Sequence, residues 1–163
     1  MTTIELRDLE TRLAVWRAER HLTTAEQKEG LLANILEELT EYCRAITIDE
    51  KIDACCDILV FLLNSKNDPV SLVNGEKTKL LDKYDFCNMI FTNIFNNRAI
   101  HTAIYQIENS GYDSYKCMLE TIKEISSRTG HFDETIGKFV KDKSPEAQAK
   151  WYKADYDKCK KEQ

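Results

Sequence analysis

An all-α fold is what the sequence predicts: one helical bundle spanning residues 1–163 as a single domain. Three observations lead there. Charged residues make up 31% and aromatic residues 9%, and only five glycines and two prolines are present, a composition that suits helices and not a β sandwich. Apolar residues recur at helical spacing along most of the chain. The breaks between these stretches carry cap and turn residues, with no internal repeat, low-complexity segment or clear linker.

The elements follow in order. Residues 4–21 place Ile4, Leu6, Leu9, Leu13, Val15 and Trp16 at loosely helical intervals. In LTTAEQ a threonine precedes Glu26, which predicts a capped second helix from about Ala25 to Ala45. ITIDE is a short break, in which Asp49 can cap a third helix from Glu50 to about Leu63. SKNDPVSLVNGEK reads as a loop, marked by Asp68–Pro69 and Asn74–Gly75. Thr78 to Asn109 suits one or two helices with a joint at Asn96–Asn97, and Ser110–Gly111 breaks the run. A further helix fits Ser114–Ser127, ended by Gly130, and a short one follows Pro145.

Net charge is −5, which argues against general nucleic-acid binding, but it is unevenly spread. Residues 1–65 hold 7 Lys/Arg against 13 Asp/Glu, whereas residues 123–163 hold 10 against 8. An acidic front and a basic tail can supply a cation site and an anion clamp in one chain. The six cysteines form no CxxC pair and no zinc spacing, so reduced core thiols are expected. The opening MTTIELRDLETR lacks the apolar core of a signal peptide, and the longest apolar run, Ala54–Leu63, is too short to span a bilayer. A cytoplasmic protein without a membrane partner is the expectation.

The third predicted helix is the informative one. At 100° per residue, Glu50, Asp53, Asp57 and Asn64 fall within an arc of roughly 60°, while the rest of the circumference is apolar. A helix apolar around most of its girth is packed on several sides, so its acidic stripe is sunk among neighbours. On the preceding helix Glu38 sits at the edge of the apolar arc, Glu41 borders it and Glu37 points to the polar side. The short connection makes the two helices antiparallel, and their acidic stripes can face each other. Carboxylates crowded in this way either protonate or take up a multivalent cation. An all-oxygen set without Cys or His favours Mg²⁺ or Mn²⁺ over zinc.

Glu37-Glu38-Leu-Thr-Glu41, followed by Glu50-Lys-Ile-Asp53 and Asp57-Ile-Leu-Val-Phe, resembles the E-x-x-E…E-x-x-D pattern of the all-α nucleoside triphosphate pyrophosphohydrolases, which include MazG and dimeric dUTPases. The spacer is short, and Ala54 stands three residues before Asp57 where the family pattern has Glu. The third and fourth ligands thus stay open among Glu50, Asp53 and Asp57. Trp16 and Arg20 resemble the family's first helix, and the ending is similar to that of phage-encoded MazG-like proteins; residues 66–116 are unmatched.

The resemblance implies hydrolysis of a (deoxy)nucleoside triphosphate between its α and β phosphates, a homo-dimer or homo-tetramer, and, for a phage protein, a place in the host cytoplasm. It implies Glu38, Glu41, Asp53 and Asp57 as metal ligands, with Glu50 a further ligand or the base, and Glu37 a weaker candidate. Asn64 would meet the sugar or base. Phosphate donors would come from Arg128, Lys138, Lys141, Lys143 and Lys153, on a segment 128–163 that Gly130 and Gly137 let close as a lid. Trp16, Tyr152 and Tyr156 are candidates for stacking or for plain packing. Glu120 and Glu124 read as a solvated face that could also join the site. The rival readings are hydrolysis of another nucleotide such as phosphoribosyl-ATP, or a non-catalytic helical interaction or inhibitor protein.

Overall fold

The computed structural model describes residues 1–71, 80–135 and 138–162. Asn74–Gly75, Thr78 and Gly137 lie outside them, as does the side chain of Lys138. Helix α1 covers Thr3–Glu19, α2 Thr24–Arg44, α3 Ile48–Asn64, α4 Lys83–Thr92, α5 Asn97–Asn109, α6 Ser114–Ser127 and α7 Pro145–Gln148. A 3₁₀ turn at Tyr156–Cys159 follows. Described residues are thus mostly helical, as predicted, and no helix among them is long and apolar enough to cross a membrane.

The first three helices share one starting device. Thr2, Thr23 and Thr47 each accept the backbone N–H of a glutamate three residues on, and Glu5, Glu26 and Glu50 reach back to the cap N–H. Each capping box satisfies two donors that a helix start leaves orphaned. The third corrects an expectation, because the N-cap is Thr47 and not Asp49. Asp49 instead accepts the Tyr112 hydroxyl at 2.6 Å. Asn96 begins α5 as the predicted joint, while Asp82 caps α4.

Helix α3 is the axis of the bundle, packed by α1, α2, α5, α6 and the 3₁₀ turn. Ile52, Ile58, Leu59 and Leu62 on it are fully buried, each contributing about 1.5–3 kcal/mol of apolar transfer. With helices on nearly all sides, its exposure is confined to its first turns and to the stripe that carries its acids.

Gly130–Asp133 and Lys138–Lys141 depart from an all-helical reading. Strands β1, Gly130–Asp133, and β2, Lys138–Lys141, pair antiparallel with Gly130 opposite Lys141 and Phe132 opposite Phe139. Gly130 does not simply end α6. A Cβ there would collide with the Val140 carbonyl and the Phe139 ring, so only glycine lets the strands approach. The hairpin rests on the end of α1, with Phe132 5.2 Å from the His21 ring and Phe139 5.3 Å beneath the Arg20 guanidinium.

Arg20 is the joint. It is 7% exposed, and Nη2 donates to the carbonyls of Ile125, Ser126 and Arg128 at 3.2–3.3 Å, closing the C-terminus of α6. Its guanidinium also lies 4.9 Å from the Trp16 ring. Arg20→Ala removes the side-chain donor from the Ser126 and Arg128 carbonyls and one of two from that of Ile125, and an expected loss of about 1–3 kcal/mol shows in urea unfolding. Arg20→Lys recovers only part of it, since an ammonium lacks the planar fork.

Candidate metal centre and its flanking cavities

Helix α2 contributes Glu38 from its buried face. Glu38 is 8% exposed, and its Oε2 has no hydrogen-bond partner. Burial, with the charges of Asp57, Glu41, Asp53 and Glu37 around it, pushes its carboxyl pKa up to about 8. Asp57, one helix away, is raised to about 7 by burial and by Asp53, with Arg128 opposing. Asp53 is also raised, mainly by burial, against a hydrogen bond from the Tyr156 hydroxyl at 2.6 Å. Acids of α2 and α3 thus act on one another through their charges, with Glu41 exposed. Among the described residues, no three Asp, Glu, His or Cys side chains stand already arranged to hold a metal ion.

Glu50 has another task. Its carboxylate accepts the backbone N–H groups of Ile46 at 2.7 Å and Thr47 at 2.9 Å, which hold its pKa below the usual range. It is exposed and engaged by the cap, yet it lines the same cavity as Asp53. Asn64 is fully buried, as the wheel requires, but its Oδ1 accepts from Arg17 of α1. It lies seven residues, roughly 10 Å, along α3 from Asp57. Asn64 is thus tied to α1, away from the acids.

Two cavities flank the acids. The first, about 160 Å³, has Asp57 beside Trp16, Phe61, Phe139, Arg128 and Lys141. The Trp16 Nε1 donates to the Ile125 carbonyl at 3.3 Å, so its ring is fixed as a wall. Arg128 is held by Glu124 at 2.7 Å. Lys141 has an exposed side chain, yet the protein around its ammonium, together with Arg128 and Lys143, lowers its pKa while Asp57 opposes. The second cavity, about 450 Å³, brings Glu50, Asp53 and Glu124 together with Lys153 and Tyr156.

The tail is docked on α6, which corrects the expectation of a solvated Glu120–Glu124 face. Glu124 accepts the Ala154 N–H at 2.7 Å. Glu120 accepts the Asp155 N–H at 3.1 Å and the Tyr152 hydroxyl. Lys123 lies 3.6 Å over the Tyr152 ring, so one face of that ring is already covered. Tyr156 is buried, its hydroxyl between Asp53 and Thr121. Lys143 is exposed in the connection after β2.

Two functional candidates escaped the sequence reading. Phe61 is one more apolar letter on α3, and Phe139 gains meaning only once the hairpin folds over α1. The site and fold define a mostly helical bundle in which buried Glu38 and half-buried Asp53 and Asp57 stand beside a cationic, aromatic cavity. Compared with protein-family models, curated proteins and solved structures, the chain matches none of them.

Proposed function

We propose that this protein is a divalent-cation-dependent nucleoside triphosphate pyrophosphohydrolase, which cleaves its substrate between the α and β phosphates to a monophosphate and pyrophosphate. The observation that carries the proposal is Glu38, buried with an unpartnered oxygen among Asp57, Asp53 and Glu41. The donor set fits Mg²⁺ or Mn²⁺, because every candidate is a hard carboxylate oxygen and Glu38 Oε2 has nothing else to bind. When bound, such ions would offset the phosphate charge and lower the pKa of an attacking water.

The remaining roles follow from position. Glu38, Glu41, Asp53 and Asp57 are the ligands in this reading, and Glu124 on α6 is added because its charge reaches both Asp53 and Asp57. Arg128 and Lys141, beside Asp57, are the phosphate donors. Trp16, Phe61 and Phe139 would hold the base ring edge-on or stacked in the smaller cavity, which has space for one ring system and falls well short of the ~300–1,000 Å³ of whole-ligand pockets. The triphosphate would then extend toward the acids and solvent.

One observation favours a second reading, a non-catalytic helical protein. Ala54 faces the core at 3% exposure and offers no ligand, and Asp53 and Glu124 are already engaged by the tail. A pyrophosphate-release assay over the common ribo- and deoxynucleotides, with Mg²⁺ or with chelator, separates the two. The expected result is release with at least one nucleotide, dependent on the cation. No release from any of them, by protein that remains folded, leaves the second reading.

A further inference from the structure

Away from the acids, two thiols meet across a helix pair. Cys43 in the last turn of α2 and Cys87 in α4 place their Sγ atoms 3.5 Å apart. Cys43 is exposed and Cys87 half-buried, whereas Cys55, Cys56, Cys117 and Cys159 are buried. The exposure of Cys43 corrects the expectation that it is a core thiol. The approach is built by the core. One residue before each thiol, Tyr42 and Phe86 are buried against each other with ring centroids 4.3 Å apart. The Tyr42 hydroxyl is fixed in turn by the Gln106 amide at 2.8 Å. Both sulfurs therefore ride on packed helices.

We propose that Cys43 and Cys87 form a redox-responsive pair that closes into an intramolecular disulfide, joining α2 to α4. With a hydroperoxide as oxidant, the Cys43 sulfur attacks the O–O bond, giving a sulfenic acid and one water from hydrogen peroxide. The Cys87 sulfur then attacks that of Cys43. The S–S bond forms, the S–O bond breaks, and the departing hydroxide leaves with the Cys87 proton as a second water. The two sulfurs together lose two electrons to the peroxide.

The sulfurs must close by about 1.5 Å to reach the ~2.05 Å bond, a side-chain movement. The order of events follows from access. Cys43 is exposed and meets the oxidant first, and the half-buried Cys87, its sulfur 3.5 Å away, is the thiol in reach to resolve the sulfenic acid. The link spans a sequence separation of 44 residues, so the closed loop contains all of α3. None of this depends on the nucleotide reading above.

The test treats the full-length chain with graded hydrogen peroxide, alkylates free thiols and maps peptides without reduction. The expected product is a Cys43–Cys87 peptide pair, lighter by two hydrogens, in a chain that stays single on a non-reducing gel. Its melting temperature rises by roughly 5–10 °C and returns with dithiothreitol. Cys43→Ser and Cys87→Ser each remove the linked peptide and the shift, and Cys43→Ser, at an exposed position, keeps the fold by circular dichroism. Oxidation of Cys43 to sulfinic acid with Cys87 still free would overturn the proposal. So would linkage between two chains, or both thiols remaining free after treatment.

Discussion

Asp57→Asn is expected to lower pyrophosphate release by about a hundredfold or more, and at the same time to raise the melting temperature of the metal-free protein at pH 8 by several degrees. The opposite signs have one cause. In the folded chain burial and Asp53 bring the Asp57 carboxyl pKa to about 7, so at pH 8 it is ionised in a place that disfavours charge. Asparagine keeps the shape and removes the charge, which relieves the fold and deprives a cation of its ligand. Glu38→Gln does the same from α2, where burial and Asp57 act on a side chain with an unpartnered oxygen. A purely structural pair of acids would show the stability gain with no activity to lose. Steady-state assays beside thermal melts in chelator read both quantities from one preparation, and a variant with full turnover would remove Asp57 from the ligand set.

The bundle was legible where local signals agreed with the tertiary result. Thr23 and Glu26 announce the start of α2, and the apolar girth of α3 already says that it lies at the centre. The same wheel puts Asp53 and Asp57 on one stripe sunk among neighbours, and both are half-buried. Misreadings arose where two physical roles share one letter. Glu50 completes the Thr-x-x-Glu box that begins at Thr47, a readable pattern, but Asp49 stands nearer the expected start and reads as the cap. Asn64 lies further along the same stripe, and its bond from Arg17 needed α1 in place to be seen. The hairpin and the docked tail had no local signal. Gly130 matters because of Val140, and Glu120 and Glu124 because of Ala154 and Asp155, all contacts made only after the chain turns back.

Those long-range contacts also settle how the basic tail relates to the acids. Arg128 is close enough to hold down Asp57, and Lys153 acts on Asp53 and Glu50. Single positive charges at the rim offset part of the repulsion, yet Glu38 and Asp57 remain displaced toward their neutral forms. The cluster is thus incompletely neutralised by the chain's own cations, the condition under which a divalent ion has most to contribute.

That condition makes pH a probe of the site. In chelator, the protein should lose stability as the pH rises from about 5 to about 8. Glu38 has an ordinary value of 4.5 and a folded one of about 8, and Asp57 goes from 3.8 to about 7. Across that window the folded chain holds more protons than the unfolded chain, so the free energy of unfolding falls with rising pH. The stability these groups lend is complete below their unfolded values and lost as the pH passes the folded ones. Glu108 acts in the other direction and elsewhere on the scale. Burial opposes its ionisation, but Lys161, Ser114 and the terminal amine hold it at about 2, so its contribution fades only in acid. Adding Mg²⁺ should flatten the upper window, because the ion binds the ionised acids of the folded state and stabilises it by mass action. The increment should be large at pH 8, small at pH 5 and greatly reduced in Glu38→Gln. Melting curves over this grid decide the matter without any substrate. A wild-type chain whose melting temperature ignores Mg²⁺ at pH 8 has acids that serve some other purpose.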